Sequence, residues 1–144
     1  MIVLDTNVVS ALMLERPDPQ VLAWLDTEPA DEIWTTTISV FELRFGIERL
    51  PAGRRRNRLD LELARLLQDD LQGRILPFDV DAAREAGRIA AQRERRGATV
   101  EFRDTQIAGI AVARQARIAT RNARHFRDLG LPVIDPWSAG ARPA

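Results

Sequence analysis

The sequence predicts an α/β domain, with a mainly parallel central sheet of about five strands flanked by helices. Three features predict it. Short runs of β-branched and aliphatic residues recur along the chain, too short to be helices. Segments with apolar residues at helical spacing lie between them. The joins are brief, and no internal repeat or linker interrupts the alternation. Strands separated by helices pair in parallel and are covered on both faces, so they read as continuous apolar runs.

Residues 2–5, IVLD, form the first strand, an apolar run closed by an acid. VVSALML follows as a short helix, ending in the turn region of Pro17 and Pro19. PQVLAWLDTEP carries Val21, Leu22 and Leu25 at helical spacing, with Trp24 beside them. EIWTTT, residues 32–37, is β-branched and aromatic and forms the second strand. SVFELRFGIERL is a helix that ends before Pro51. PAGRRRNR reads as a polar turn. It leads into a long amphipathic helix through LDLELARLLQDDL, with Leu59, Leu63, Leu66 and Leu67 as its stripe. RILPF is the third strand. DVDAAREAGRIAAQRERRG is a helix that stops at Gly97, and FRDTQIAGIAVARQA is another. RIAT is the fourth strand, RNARHFRDLG a short helix with Gly130 near its end, and LPVID the fifth strand. Residues 1–137 make one domain and 138–144 a tail.

The 144 residues suffice to bury a core. The 21 basic and 21 acidic residues cancel, so any nucleic-acid contact must come from local patches. Every basic residue is arginine, and Cys and Tyr are absent. A P-loop, a Schiff base and a lysine general base all need the missing Lys. Zinc sites built from Cys or paired His are excluded, because His125 is the single histidine. The remaining chemistry is that of carboxylates, hydroxyls, Arg and a metal ion held by oxygen ligands. No apolar run approaches the roughly 20 residues of a membrane span, and the N-terminus shows no signal peptide. With no disulfides, a cytoplasmic protein is expected.

Open α/β sheets bind ligands beyond the carboxyl ends of their strands. Asp5 closes the first strand, Glu42 lies in the helix after the second, and Asp104 opens the helix before the fourth. Thr120 and Asn122 close the fourth strand. Each acid also has a purely structural reading. Asp5 can cap the first helix. Ser39 to Glu42 spells a capping box. Asp104 shares a helix face with Ala108 and Ala111, a small apolar face suited to pack on the sheet. A carboxylate there is costly unless paired, hydrogen-bonded or bound to a cation. Three carboxylates in one cleft would raise one another's pKa, and a divalent ion such as Mg²⁺ or Mn²⁺ removes that conflict. Arg54, Arg55, Arg56 and Arg58, and separately Arg93, Arg95 and Arg96, read as solvated helix ends or as phosphate contacts. His125 reads as solvent-facing or packed beside Phe126, and Asp128 as too far along its helix to join the acids.

Four blocks carry a resemblance over nearly the whole chain: LDTNVVS, TTTISVFELRFGIERL, RDTQIAGIAVARQ, and IATRNARHF followed by VIDPW. In this order and spacing they resemble the PIN domains, and within them the VapC-type toxins of bacterial toxin–antitoxin pairs. The resemblance implies a three-layer α/β sandwich and an endoribonuclease dependent on Mg²⁺ or Mn²⁺. It implies Asp5, Glu42 and Asp104 as the catalytic, metal-holding acids, with Thr120 and Asn122 in support. It further implies an RNA substrate, a VapB-type antitoxin that blocks the acidic site, and a homodimer. Many relatives carry a fourth acid where Asn122 or His125 stands here. Its absence predicts a weaker second metal site, and leaves open a catalytically impaired PIN scaffold that binds RNA or a protein partner. Phosphoryl transfer on a small molecule is disfavoured, because it wants an Asp at the place of Asn7 and a Lys.

Overall fold

In the computed structural model, residues 1–139 are described. Five short strands, β1 (Ile2–Leu4), β2 (Ile33–Thr36), β3 (Ile75–Leu76), β4 (Arg117–Ala119) and β5 (Val133–Ile134), form one sheet in the order β3-β2-β1-β4-β5. Every pairing is parallel. The chain starts in the middle of the sheet, builds outward to β3, then crosses to the other side of β1. The crevice beyond the carboxyl ends of β1 and β4 is therefore the topological switch point, where such sheets bind ligands. Leu4 pairs with Ala119, so the next residues, Asp5 and Thr120, emerge side by side there.

Six α-helices cover the sheet among the described residues: α1 (Thr6–Leu12), α2 (Pro19–Thr27), α3 (Thr37–Glu48), α4 (Arg54–Arg65), continued by a π-helical stretch at Leu66–Asp70, α5 (Val80–Arg95) and α6 (Phe102–Arg114). Their starts follow from local chemistry. Asp5, Asp18, Thr36 and Asp79 each accept a hydrogen bond from a backbone N–H in the first turn, and Pro19 opens α2. Alternation along β1 divides the core into two layers. Ile2 and Leu4 pack with Val8, Val9, Trp24, Ile47 and Leu63 on one face. Val3 packs with Ile89, Ile107, Ile110, Ile118 and Phe126 on the other. The result is the three-layer sandwich. Between α5 and α6 the backbones meet closely at Gly109, where an added Cβ would lie 2.5 Å from the Ala82 carbonyl oxygen.

Four expectations are corrected. The stretch PAGRRRNR is no simple turn, because α4 already begins at Arg54. Its first turn is fastened by Arg56 to Glu48 at 2.7 Å and by Arg58 to the Met13 carbonyl at 3.1 Å. Residues 122–130 form two 3₁₀ turns, Ala123–His125 and Arg127–Leu129, instead of a helix. The fully buried Phe126 sits between them in a non-helical conformation, and Gly130 ends the segment at positive φ. The capping box at Ser39 does not form: α3 starts from Thr36, Ser39 is fully buried, and Glu42 turns elsewhere. Arg93 is buried and pairs with Asp128 at 2.9 Å, while Arg96 reaches the same carboxylate at 2.8 Å. These two arginines hold the 3₁₀ segment, a structural role that neither the solvated reading nor the phosphate reading included. The expected tail, 138–144, lies outside the described residues except for Ser138 and Ala139, whose N–H groups bond to the Asp135 carbonyl. No described helix is long and apolar enough to cross a membrane.

Candidate active site

Asp5 is the first residue past β1 and is only 4 % exposed. Its Oδ1 accepts from the Thr6 N–H at 2.8 Å and its Oδ2 from the Thr120 hydroxyl at 2.7 Å. The Asn122 N–H in turn donates to Thr120 Oγ1 at 3.0 Å. The Asn7 amide lies 3.4 Å from both Asp5 Oδ2 and Thr120 Oγ1, and its carbonyl oxygen accepts from the Arg121 N–H. Asp5 thus caps α1 and also belongs to a polar knot that ties the first strand end to the fourth. Burial pushes its pKa up to about 6. The hydrogen bonds from Thr120 and Thr6 oppose that rise, and the nearby Asp104 and Glu42 carboxylates add to it.

Glu42 projects from α3, and its Oε1 accepts from the Thr6 hydroxyl at 2.9 Å. Thr6 Oγ1 also lies 2.9 Å from Ser39 Oγ. A hydroxyl has one hydrogen. With Thr6 donating to the carboxylate, Ser39 must donate to Thr6. The Thr36 hydroxyl lies 3.4 Å behind Ser39. A line of hydroxyls therefore runs from the end of β2 to Glu42 and fixes its orientation. The other Glu42 oxygen is 3.7 Å from Arg103. Asp104 stands in the first turn of α6, and His125 Nδ1 lies 2.8 Å from its Oδ2. His125 is partly open to solvent, as expected, with its side chain 39 % exposed, but its ring also engages Asp104, a contact that expectation did not include.

Asp5, Glu42, Asp104 and Asn122 line one cleft of about 600 Å³, together with Phe45, Arg49, Arg55, Arg58 and Arg103. Three acids from three elements are thus brought together. As they stand, no three His, Cys, Asp or Glu side chains among the described residues are arranged to hold a metal ion. Each acid is engaged with its own neighbours: Asp5 with Thr120, Glu42 with Thr6, Asp104 with His125. The donor set still fits a hard cation. It is made of carboxylate oxygens, and the repulsion acting on Asp5 is of the kind a bound cation relieves. Of the arginines expected at RNA, Arg55 and Arg58 line the cleft, whereas Arg54 and Arg56 do not.

Thr6, Asn7, Ser39 and Arg103 join the site beyond the residues expected from sequence, and His125, expected to stand apart from the acids, touches Asp104. Thr6 and Asn7 stand beside Asp5 in the DTN triplet, which was a signal. Ser39 is 33 residues from Thr6 and His125 is 21 from Asp104, so nothing local announced those pairs. A second cleft, about 680 Å³, contains none of the three acids. It lies against α1, α2 and α4, where Leu12, Leu14, Leu22 and Leu25 meet Glu15, Asp26 and Glu62.

The family model described as PIN domain matches residues 2–131. The VapC ribonuclease Y4jK of Sinorhizobium fredii is 42 % identical over 137 residues, covering 95 % of this chain and 98 % of that protein. The toxin FitB of Neisseria gonorrhoeae is 34 % identical over 137 residues, covering 95 % and 99 %. Among solved structures, FitAB bound to an IR36 DNA fragment matches with a TM-score of 0.85 at 32 % identity, covering 95 % of this chain and 96 % of that one.

Proposed function

The chain belongs to the PIN-domain family, and on that premise we propose that it is a metal-dependent endoribonuclease and the toxin half of a VapBC-type toxin–antitoxin pair. The observation that carries this reading is the gathering of Asp5, Glu42 and Asp104 around one cleft at the switch point, with Asp5 held well above the usual carboxylate range. The relatives named as a VapC ribonuclease and as the toxin FitB, similar along nearly their whole length, support the ribonuclease and toxin reading. They do not favour a scaffold without catalysis. We take residues 1–137 as one working domain, acting in the cytoplasm.

In this reading Asp5 and Asp104 would hold Mg²⁺ or Mn²⁺, with Glu42 binding directly or through water. When bound, the ion supplies charge neutralisation and an activated water for phosphodiester hydrolysis. The chain's own groups prepare the site. Thr120 and the Thr6 N–H fix the two oxygens of Asp5. The Thr36–Ser39–Thr6 hydroxyl line orients Glu42. Arg55, Arg58 and Arg103 supply positive charge at the cleft for the RNA phosphates.

The second cleft supports the partner. Its leucines and acids suit an amphipathic helix with an apolar stripe and basic flanks, as a VapB-type antitoxin would present. The likeness to the solved FitAB structure supports such a partner. The exposed Phe41 and Phe45, stacked on each other, support a homodimer, because an exposed apolar pair favours a protein contact. Sequencing RNA ends after induced expression tests the whole reading. The wild type should generate new 5′ ends and arrest growth, and Asp5→Asn should do neither. Identical ends from both proteins would remove the proposal.

A further inference from the structure

One of the three acids is paired with an imidazole. His125 Nδ1 lies 2.8 Å from Asp104 Oδ2, and among the described residues no hydrogen bond reaches the other Asp104 oxygen. A carboxylate cannot donate, so with Asp104 ionised the imidazole carries its hydrogen on Nδ1 and donates. His125 is held where it is by its neighbours. The buried Arg93 donates to the His125 carbonyl at 2.6 Å, to the Thr105 hydroxyl at 3.3 Å, and to both oxygens of Asp128 at 2.9 Å. Thr105 follows Asp104 on α6, and Thr105 Oγ1 donates back to the Glu101 carbonyl. One guanidinium therefore clamps the first turn of α6 to the 3₁₀ segment that carries the imidazole. Asp104 lines both the acid cleft and a second hollow of about 520 Å³ that His125 also lines, so it stands between the two.

We propose that His125 is a positioning residue. It occupies one oxygen of Asp104 from outside the cleft and leaves the other for the cation. It thereby does by orientation part of what a further acid on this segment would do by charge. The inference rests on the metal-dependent reading and concerns how Asp104 is presented, not whether the site exists. Outer hydrogen bonds of this kind tune metal affinity by about 10- to 100-fold.

The test is calorimetric titration of the full chain with Mn²⁺, for the wild type, His125→Ala, His125→Asn and Asp104→Asn. The Asn side chain places an N–H close to where Nδ1 stands and restores the donor without the ring. His125→Ala should weaken Mn²⁺ binding by about 10- to 100-fold. His125→Asn should bring it back to within a few-fold of wild type, with the melting temperatures of the metal-free proteins unchanged. Wild-type affinity in His125→Ala overturns the inference. So does an Asn variant as weak as the Ala variant, which would mean that the ring itself binds the ion or substrate. If the wild type itself binds no Mn²⁺, or binds as weakly as Asp104→Asn, the metal-dependent reading is what fails.

Discussion

An ionised carboxylate at 4 % exposure is a burden on the metal-free fold, and Asp5 carries it. Its pKa rises from 3.8 to about 6. The folded state therefore binds this proton more tightly than the unfolded state does. The stability tied to that proton is fully present below about pH 4 and is lost as pH rises through about 6. At 1.36 kcal/mol per unit the shift corresponds to something on the order of 3 kcal/mol. Asp5→Asn should therefore raise the melting temperature of the EDTA-treated protein at pH 8, and the gain should shrink at pH 5. A lower melting temperature at pH 8 would mean that burial is not the dominant influence on Asp5. The gathering of the three acids was legible in the sequence because Asp5 closes a strand, Glu42 lies in the helix that follows one and Asp104 opens the helix that precedes one. Their supports were not. The Thr6–Ser39 and Asp104–His125 contacts join residues far apart in sequence, and a hydroxyl beside a helix start reads first as a cap.

At the scale of elements, the alternation of strands and helices was legible because both periodicities are local. The 3₁₀ segment after β4 was not, because its conformation is set by the burial of Phe126 and by the distant Arg93. Asp128 is the anchor of that segment, and its two arginines pull its pKa down to about 2 against the effect of burial. Its contribution is present above about pH 4 and is lost as pH falls through about 2. Asp128→Asn should destabilise the protein by about 1–3 kcal/mol at pH 7 in urea melts, and the difference from wild type should close in acid. The α5–α6 contact offers a contrast between two glycines. Gly109→Ala forces a Cβ against the Ala82 carbonyl and Ala86, an overpacking that should cost about 1–3 kcal/mol. Gly87→Ala, inside α5 and facing open space, should stabilise by about 0.5–1 kcal/mol. Equal effects of the two changes would contradict the packing described.

For the whole molecule, parallel winding from the centre outward sets Asp5 and Thr120 next to each other at the switch point. The acids gather there and arginines surround them, so a chain with balanced charge still presents a polarised cleft. That polarity should appear in RNA binding. Arg55→Ala should weaken binding of single-stranded RNA across sequences and reduce the salt slope by about 0.7, whereas Arg54→Ala, outside the cleft, should change neither. The cleft could not be drawn from sequence because the order of the strands decides which ends meet.

The decisive measurement is cleavage of a structured RNA by purified protein, with EDTA or with Mn²⁺, for wild type and Asp5→Asn. Cleavage is expected only from the wild type and only with Mn²⁺. Cleavage by Asp5→Asn at the wild-type rate, or by the wild type in EDTA, would contradict that expectation.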